Sequence, residues 1–239
     1  MNKSAIIIPS HLGAKRLPNK PLLDISGKPM IVHVWERAIK SEVKDVFVAT
    51  ANKEIVDVIK SCGGNVVLTG TEHTTGSDRI YEAIKNLNLS CDFIINVQGD
   101  MPNINPGTIN MLNQFMITNS NAEVATVASD ISSEETLDQN VVKAITSSNL
   151  KENGFQIAND FVRKIEKQKY FYHHIGLYSY KLRTLESFVN LSKTKNEIER
   201  SLEQMRFLDH DIDIFVGYTK DNPLSVDTKE DLEKIRKLI

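Results

Sequence analysis

Short apolar runs alternate with amphipathic stretches along the first hundred residues of the chain. Residues 5–8 form a continuous apolar run that ends at Pro9, which is typical of a strand buried on both faces of a sheet. Residues 29–40 follow with apolar positions at helical spacing. The same alternation then predicts strands over 46–50, 66–68 and 93–97, and helices over 55–59 and around Ile80, Ala83 and Ile84. Repeated alternation of this kind predicts a parallel sheet with right-handed crossovers.

The pattern changes after about residue 120. It predicts strands over 123–129, 140–146, 175–180 and 212–216, and helices over 181–190, 198–208 and 227–239. No full-length helix separates the first two of these strands, and residues 147–170 have no readable pattern. The prediction is therefore a single α/β domain over 1–239, with a Rossmann-like, mainly parallel half (1–120) followed by a mixed α+β half (121–239).

Composition narrows the functional classes. The 239 residues carry a formal charge of −2, which argues against non-specific nucleic-acid binding because that requires a basic stripe. Two cysteines are too few for a disulfide framework or a zinc site, and they fit a reducing compartment. The N-terminal apolar run is too short for a signal peptide, and no stretch is long enough to cross a bilayer. These features predict a soluble, cytoplasmic protein.

The loop that follows the first predicted strand is rich in cations. It contains His11 and Gly13 together with Lys15, Arg16 and Lys20. Ligands of open parallel sheets bind beyond the carboxyl ends of the strands, and glycine lets backbone N–H groups approach phosphate. A triphosphate site fits this loop, and so does a solvated basic loop turned by prolines. The loop lacks the spacing of a Walker motif or a dinucleotide fingerprint, so both interpretations stay open.

Two acidic residues are candidates for holding a hard cation. Asp100 follows Gly99 at the end of the fourth predicted strand, where a carboxylate could bind a metal that bridges phosphates or could serve only in a turn. Asp227 precedes the C-terminal helix with Glu230 three residues later, which predicts a helix N-cap with an acidic partner. A metal role for Asp227 requires it to lie near Asp100, which periodicity does not show.

Eight short motifs in a fixed order resemble the 3-deoxy-manno-octulosonate cytidylyltransferases, also called CMP-Kdo synthetases. They are RLPNKPL (16–22), GKPMI (27–31), HTTGSDR (73–79), NVQGD (96–100), NVVK (140–143), HIGLY (174–178), LEQMR (202–206) and VDT (226–228). Each motif alone is a modest signal, but their joint order is specific and covers nearly the whole chain.

This resemblance implies an α/β nucleotidyltransferase fold that forms a homodimer through the mixed half. The implied reaction joins CTP and the acidic sugar Kdo into CMP-Kdo with release of pyrophosphate, for lipopolysaccharide synthesis. By matching position, Asp100 and Asp227 hold Mg²⁺, while Arg16 and Lys20 cradle the triphosphate with His11 and Gly13 in the same nucleotide-binding loop. Asp78 and Arg79 would shape the site near the nucleotide. The residues implied to line the sugar pocket are Gln98, His174, Tyr178, Glu203 and Gln204.

The chain also departs from the family pattern. The family has Arg, Ser, Gly, Glu and Glu at the positions of His11, Ala14, Asn19, Met101 and Arg200, and its segment before the HIGLY motif is unrecognisable around residues 158–163. These departures concern the sugar more than the reaction, because both carboxylates and Lys20 remain. Two alternatives stay open: activation of another acidic or amino sugar (8-amino-Kdo or a sialic-acid-like sugar), and a non-catalytic nucleotide-binding relative.

Several of the implied residues also have plain structural interpretations. His174 could be a core histidine, Tyr178 an ordinary strand residue, and Glu203 a partner of Arg206 in a surface ion pair. The family pattern favours function for His174 and Gln204 and leaves Glu203 open. If His11 contacts phosphate, CTP affinity is expected to fall as pH rises through the titration of its ring.

Overall fold

The computed structural model describes residues 3–239 and groups the chain into two compact units. The first unit consists of Met1–Asn113 with Pro223–Ile239, and the second of Gln114–Asn222. The C-terminal segment, which the sequence pattern assigned to the mixed half, therefore belongs with the first unit. Within residues 3–239, no helix has both the length and the apolar character needed to cross a membrane.

The first unit is built on the parallel sheet that the β–α alternation predicts. Its elements up to residue 96 are β1 (Ser4–Ser10), a 3-10 turn (Lys20–Leu22), β2 (Asp24–Ile25), β3 (Lys28–Pro29), α1 (Met30–Ala38), β4 (Asp45–Thr50), α2 (Lys53–Ser61), β5 (Asn65–Leu68), α3 (Gly76–Asn86) and β6 (Phe93–Asn96). The parallel strands lie in the order β5-β4-β1-β6, with Ile7 of β1 paired with Asn96 of β6. The loops that follow β1 and β6 consequently leave the same edge of the sheet.

A helix that the sequence analysis did not predict follows β6. Helix α4 (Pro106–Thr118) includes the point where the chain passes from the first unit to the second. Its sequence contains Gly, Thr and Asn, all poor helix formers, which hides the helix from propensity-based reasoning. Ile109, Leu112 and Met116 nevertheless lie at helical spacing and are fully buried, so burial of this stripe stabilises the helix.

The second unit has the mixed sheet expected from the irregular pattern. Its elements are β7 (Val124–Ser129), α5 (Ser133–Leu137), β8 (Lys143–Thr146), α6 (Leu150–Asn153), β9 (Gln156–Val162), β10 (Phe171–Lys181), α7 (Leu182–Val189), α8 (Lys195–Arg200), α9 (Met205–Leu208) and β11 (Ile214–Tyr218). The strands pair in the order β10-β7-β11-β9-β8. Strand β10 also pairs with β8, so the first and last strands of this order are hydrogen-bonded to each other. Only β7 and β11 run parallel among these pairs.

The predicted helix over 198–208 is wrong. Two short helices, α8 and α9, occupy this region, and Ser201 ends α8 in the left-handed conformation with φ 52°. The buried guanidinium of Arg206 donates to both carboxylate oxygens of Glu197 at 2.7 and 2.5 Å, which joins the two helices. Arg206 is 3% exposed, so the alternative of an ion pair at the surface does not fit its position. Helical spacing of apolar residues across the break produced the error in the helix.

The chain returns to the first unit with α10 (Lys229–Arg236), which is shorter than the helix predicted over 227–239. One face of α10 packs into an apolar cluster formed by Leu17, Ile25, Met30, Val226, Leu232 and Ile235. This cluster joins the loop after β1 to the segment that precedes α10. Residues almost the whole chain apart are thereby brought to the same edge of the parallel sheet.

Candidate active site

A cavity of about 370 Å³ lies at the carboxyl ends of β1 and β6 in the first unit. Its walls come from the cationic loop after β1, from residues 73–76 with Arg79, from residues 98–100 and from Asp227. Ligands are expected at this edge of an open parallel sheet. Of the residues predicted from the sequence, the cavity brings together His11, Arg16, Lys20, Arg79, Gln98, Asp100 and Asp227.

The ammonium group of Lys20 bridges the two candidate metal carboxylates. Its Nζ lies 2.8 Å from Asp100 Oδ2 and 2.9 Å from Asp227 Oδ1. Arg16 contacts the other oxygen of Asp227 at 3.0 Å. Burial by itself would lower the pKa of Lys20, but the two carboxylates outweigh burial and raise that pKa above its ordinary value. Asp100 and Asp227 are therefore neighbours, which periodicity could not show.

Backbone contacts place Asp227 beside Asp100. The N–H of Val226 donates to the carbonyl of Asp100 at 2.9 Å. Thr228, not Asp227, is the N-cap of α10, since its hydroxyl accepts from the N–H of Asp231 while Asp231 Oδ2 accepts from the N–H of Thr228 at 2.9 Å. The predicted cap of Asp227 with Glu230 is wrong by one position. The Asp227 carboxylate is thus left to face Lys20 and Arg16.

Gly99 is required by close packing at the end of β6. A Cβ atom at this position would lie 2.8 Å from the carbonyl oxygen of Pro9, which is backbone and cannot rotate away. The glycine therefore lets the turn that carries Gln98 and Asp100 approach the end of β1. Gln98 donates from Nε2 to Asn96 Oδ1 at 3.2 Å and lines the cavity.

His11 lies in the cavity wall as a hydrogen-bond acceptor. The N–H of Gly13 donates to its Nδ1 at 3.1 Å, and burial, then Arg79 and Lys20, lower the pKa of His11 below its ordinary value. Both observations favour a neutral ring. Gly13 itself does not line the cavity, and its N–H is occupied by His11. The phosphate contacts of His11 and Gly13 stay predictions.

The segment around the start of α3 supplies residues of the HTTGSDR motif to which the sequence analysis gave no role. Thr75 caps α3 by accepting from the N–H of Asp78 at 3.2 Å, and His73, Thr74 and Thr75 line the cavity. The carboxylate of Asp78 does not line it. The Thr-x-x-Asp spacing of a helix cap was the signal that could have identified this wall.

A buried hydroxyl also reaches the cavity from the end of β1. Ser10 lines the cavity, is 4% exposed, and its Oγ has no hydrogen-bond partner among the described residues. A buried hydroxyl usually has a partner, so a ligand atom fits here.

Four of the predicted sugar-binding residues lie in the second unit. The ring of His174 contacts Tyr178 at a centroid distance of 5.4 Å, and its Nε2 lies 3.1 Å from Thr126 Oγ1. Burial, then Tyr180 and Glu203, raise the pKa of Tyr178 well above its ordinary value. Gln204 immediately precedes α9. The sugar-binding roles of these residues and of Gln98 stay predictions.

The departures from the family pattern have local explanations. Asn19 adopts a left-handed conformation with φ 55°, which asparagine tolerates better than most residues other than glycine. Met101 is 6% exposed and packs as an apolar residue, so no third carboxylate follows Asp100. Arg200 donates to Asp160 Oδ1 at 2.5 Å and to the carbonyl of Phe161 at 3.1 Å, both in the segment that the resemblance left unrecognised.

The parallel sheet, the cavity at its edge and the facing charges define a nucleotidyltransferase. The family model for cytidylyltransferases matches residues 5–214, so the class is a cytidylyltransferase. A 3-deoxy-manno-octulosonate cytidylyltransferase from Brucella ovis is 42% identical over 239 residues, covering 98% of this chain and 94% of the relative. The relative of the same description from Nitrobacter winogradskyi is 37% identical and covers 100% and 94%.

A solved structure agrees with these sequence relatives. The structure of CMP:2-keto-3-deoxy-manno-octonic acid synthetase complexed with CTP has a TM-score of 0.91 to this chain, with 35% identity and coverage of 99% and 98%. The chain belongs to the 3-deoxy-manno-octulosonate cytidylyltransferase family, and the predicted α/β nucleotidyltransferase fold is confirmed.

The environment of His174 predicts acid lability of the second unit. Desolvation, then the nearby His173, lower the pKa of His174 to about 3, below its unfolded value of about 6.5. The unfolded chain therefore binds a proton first, and stability falls as pH drops from about 6.5 towards 3, with a slope of at most about 1.4 kcal/mol per pH unit from this group. Replacing His174 with Gln should make this slope shallower in urea unfolding between pH 7 and 5.

The matched control is Ser192→Gln, which puts the same side chain at an exposed position of the same unit that carries no titratable group. This variant should retain the wild-type slope. An unchanged slope in His174→Gln would contradict the prediction.

Proposed function

We propose that this chain is the enzyme that couples CTP to 3-deoxy-D-manno-octulosonate (Kdo), giving CMP-Kdo and pyrophosphate for lipopolysaccharide synthesis. The observation that carries the proposal is the cavity at the edge of the parallel sheet, where Lys20 and Arg16 face the paired carboxylates of Asp100 and Asp227. Family membership supports the choice of CTP and Kdo.

The reaction needs positioning and charge neutralisation more than covalent help from the protein. The anomeric hydroxyl of the sugar attacks the α-phosphorus in line, and pyrophosphate leaves. Arg16, Lys20 and Arg79 supply positive charge in the cavity for the triphosphate. His11 and the buried hydroxyl of Ser10 line the same cavity and are available for hydrogen bonds to the nucleotide.

Mg²⁺ belongs to the same proposal, with Asp100 and Asp227 as its protein ligands. Their oxygens fit the ion, because one oxygen from each already lies within 2.9 Å of a single cation, the ammonium of Lys20. Among residues 3–239, no group of three or more His, Cys, Asp or Glu side chains is arranged to hold a metal. Mg²⁺ is commonly bound by one or two carboxylates with substrate phosphates and water, so two protein ligands suffice. The ion would neutralise charge that develops on the phosphates.

A second candidate substrate is an amino or other acidic analogue of Kdo. The observation that favours it is the ion pair between Arg200 and Asp160. Arg200 replaces a Glu of the family pattern, and Asp160 lies in the segment 158–163, where the family pattern is unrecognisable. Phe161, beside Asp160, contacts the ring of His174 at a centroid distance of 5.0 Å. The changed charges therefore adjoin predicted sugar-binding residues and bear on the sugar rather than on CTP.

The proposal includes a cytoplasmic location and a homodimer formed through the second unit. CTP is an intracellular nucleotide, and Cys62 and Cys91 are free thiols, which fits a reducing compartment. Leu137, Ile157 and Ile198 of the second unit are exposed apolar side chains, which a contact between copies would cover. An absolute mass by light scattering distinguishes dimer from monomer.

A pyrophosphate-release screen tests the reaction. The purified protein is assayed with the four ribonucleoside triphosphates against Kdo, 8-amino-Kdo and a sialic acid. The expected result is turnover with CTP and Kdo. Turnover restricted to another sugar would overturn the choice of Kdo, and CTP binding without turnover of any sugar would support a non-catalytic relative.

Loss of either carboxylate should abolish most of the activity. Asp100→Asn and Asp227→Asn each remove one metal ligand, and kcat should fall by at least about 100-fold, as when other transition-state charge stabilisation is lost. Asp57→Asn, at an exposed acid on α2, is the matched control and should keep the wild-type rate. Near-normal rates in both site variants would refute the metal assignment.

Lys20 should compete with the metal until the triphosphate draws its ammonium away. Replacing Lys20 with Met removes the bridging cation, so Mn²⁺ titrated without nucleotide should bind about tenfold tighter, a gain of about 1.4 kcal/mol. The same variant should bind CTP more weakly and leave the sugar KM nearly unchanged.

Electron paramagnetic resonance of free Mn²⁺ measures the metal affinity without any turnover. Lys28→Met is the control, since Lys28 pairs with Glu36 in another ion pair. Unchanged or weaker Mn²⁺ binding in Lys20→Met would mean that the ammonium and the metal do not share the carboxylates.

A further inference from the structure

Arg79 is the most buried cation of the cavity. It is 5% exposed, whereas the side chain of Arg16 is 61% exposed. Its Nη1 donates to Thr69 Oγ1 at 2.5 Å and to the carbonyl of Gly70 at 3.1 Å. The position of the guanidinium therefore depends on the segment that follows β5.

Glu82 holds that same segment from helix α3. Both of its carboxylate oxygens accept from the N–H of Gly70, at 3.1 and 2.9 Å, and one of them contacts Nε2 of His73. Asn86 donates to the carboxylate at 3.2 Å. Burial by itself would raise the pKa of Glu82, but the bonds from Gly70, His73 and Asn86 outweigh it and lower that pKa, so the carboxylate is ionised at neutral pH.

The side chains of Arg79 and Glu82 both hydrogen-bond to the backbone of Gly70. Arg79 holds the carbonyl of Gly70 and Glu82 holds its N–H, and the two side chains are three positions apart on α3, within one turn. The charge of Glu82 also counteracts the effect of burial on Arg79. His73, held by Glu82, continues into Thr74 and Thr75 in the cavity wall, whereas Glu82 does not line the cavity.

We propose that Glu82 is a positioning residue for the nucleoside triphosphate: through Gly70 and His73 it sets the guanidinium of Arg79 and the 73–75 wall against the ligand. This inference rests on the proposed function for its ligand, CTP. It assigns to a carboxylate outside the cavity a role in nucleotide affinity, separate from the carboxylates that face Lys20. Within residues 3–239 the hydrogen-bond partners of Glu82 are Gly70, His73 and Asn86, none of which is predicted to bind the sugar, so we expect its effect on the nucleotide.

The test compares Glu82→Gln with Asn86→Ala. Asn86 donates to Glu82 and to the carbonyl of Leu68, so its loss weakens the packing of α3 on β5 but leaves the Gly70 and His73 contacts in place. Glu82→Gln should weaken CTP binding by calorimetry and raise the CTP KM, each at least about fivefold, with kcat and sugar KM within about twofold. Asn86→Ala should keep CTP affinity within about twofold of wild type. Equal losses in both variants would show a purely structural role and overturn the proposal.

A double-mutant cycle with Arg79→Lys shows whether Glu82 acts through Arg79. The losses in CTP affinity should be clearly less than additive, because Arg79→Lys already removes the group that Glu82 positions. Additive losses, or no loss in Glu82→Gln, would overturn the proposal. If Glu82→Gln fails to fold, Glu82→Asp retains the charge with a shorter reach and enters the same cycle with the same criteria.

The wild-type arm separates this inference from the proposed function. If the wild-type protein binds CTP but turns over no sugar, the proposed function is wrong, while calorimetry of the variants still tests the role of Glu82. If the wild-type protein turns over its sugar and Glu82→Gln binds CTP as tightly as the wild type, only the inference about Glu82 is wrong.

Discussion

The central interaction of the first unit is the contact of the Lys20 ammonium with the carboxylates of Asp100 and Asp227. Two carboxylates held this close repel each other unless a cation stands between them, and the repulsion grows as water is excluded. The three side chains come from the loop after β1, the end of β6 and the segment before α10. Other contacts hold each segment. Leu17 of the loop and Val226 lie in the apolar cluster around α10, Val226 also bonds to Asp100, and Gly99 packs closely against Pro9. The fold thus brings two carboxylates together, and the positive charge of Lys20 offsets their mutual repulsion.

How much of this follows from sequence depends on the range of the interaction. Apolar runs and helical spacing are local, so the strands and helices of the parallel sheet were predictable, as was the arrival of the Lys20 loop and Asp100 at one edge. The return of Asp227 to that edge was not, because it depends on packing of Leu232 and Ile235 against residues near the N-terminus. The resemblance to a family supplied that pairing in advance.

Local rules also failed where tertiary contacts override them. Helix α4 contains poor helix formers and exists because its apolar stripe is buried, whereas the continuous helix expected across Ser201 is broken although its apolar spacing is good. The contacts of Arg79 and Glu82 with Gly70 could not be predicted for a different reason. Both side chains bind the backbone of Gly70, Arg79 at its carbonyl and Glu82 at its N–H, and no side-chain pattern reports where a backbone group points.

The two arginine ion pairs around α8 and α9 show where the second unit can change. Arg206 and Glu197 are almost fully buried, and removing one partner of such a pair leaves an uncompensated charge at a cost of about 3–5 kcal/mol. Arg200 and Asp160 are about one-third exposed, and pairs of this kind contribute only about 0–1 kcal/mol. Substitution of Arg200 is therefore expected to lower the free energy of unfolding only slightly, while it changes the charge beside Phe161 and His174. The buried pair keeps α8 and α9 in place, whereas the partly exposed pair can change at little cost in stability.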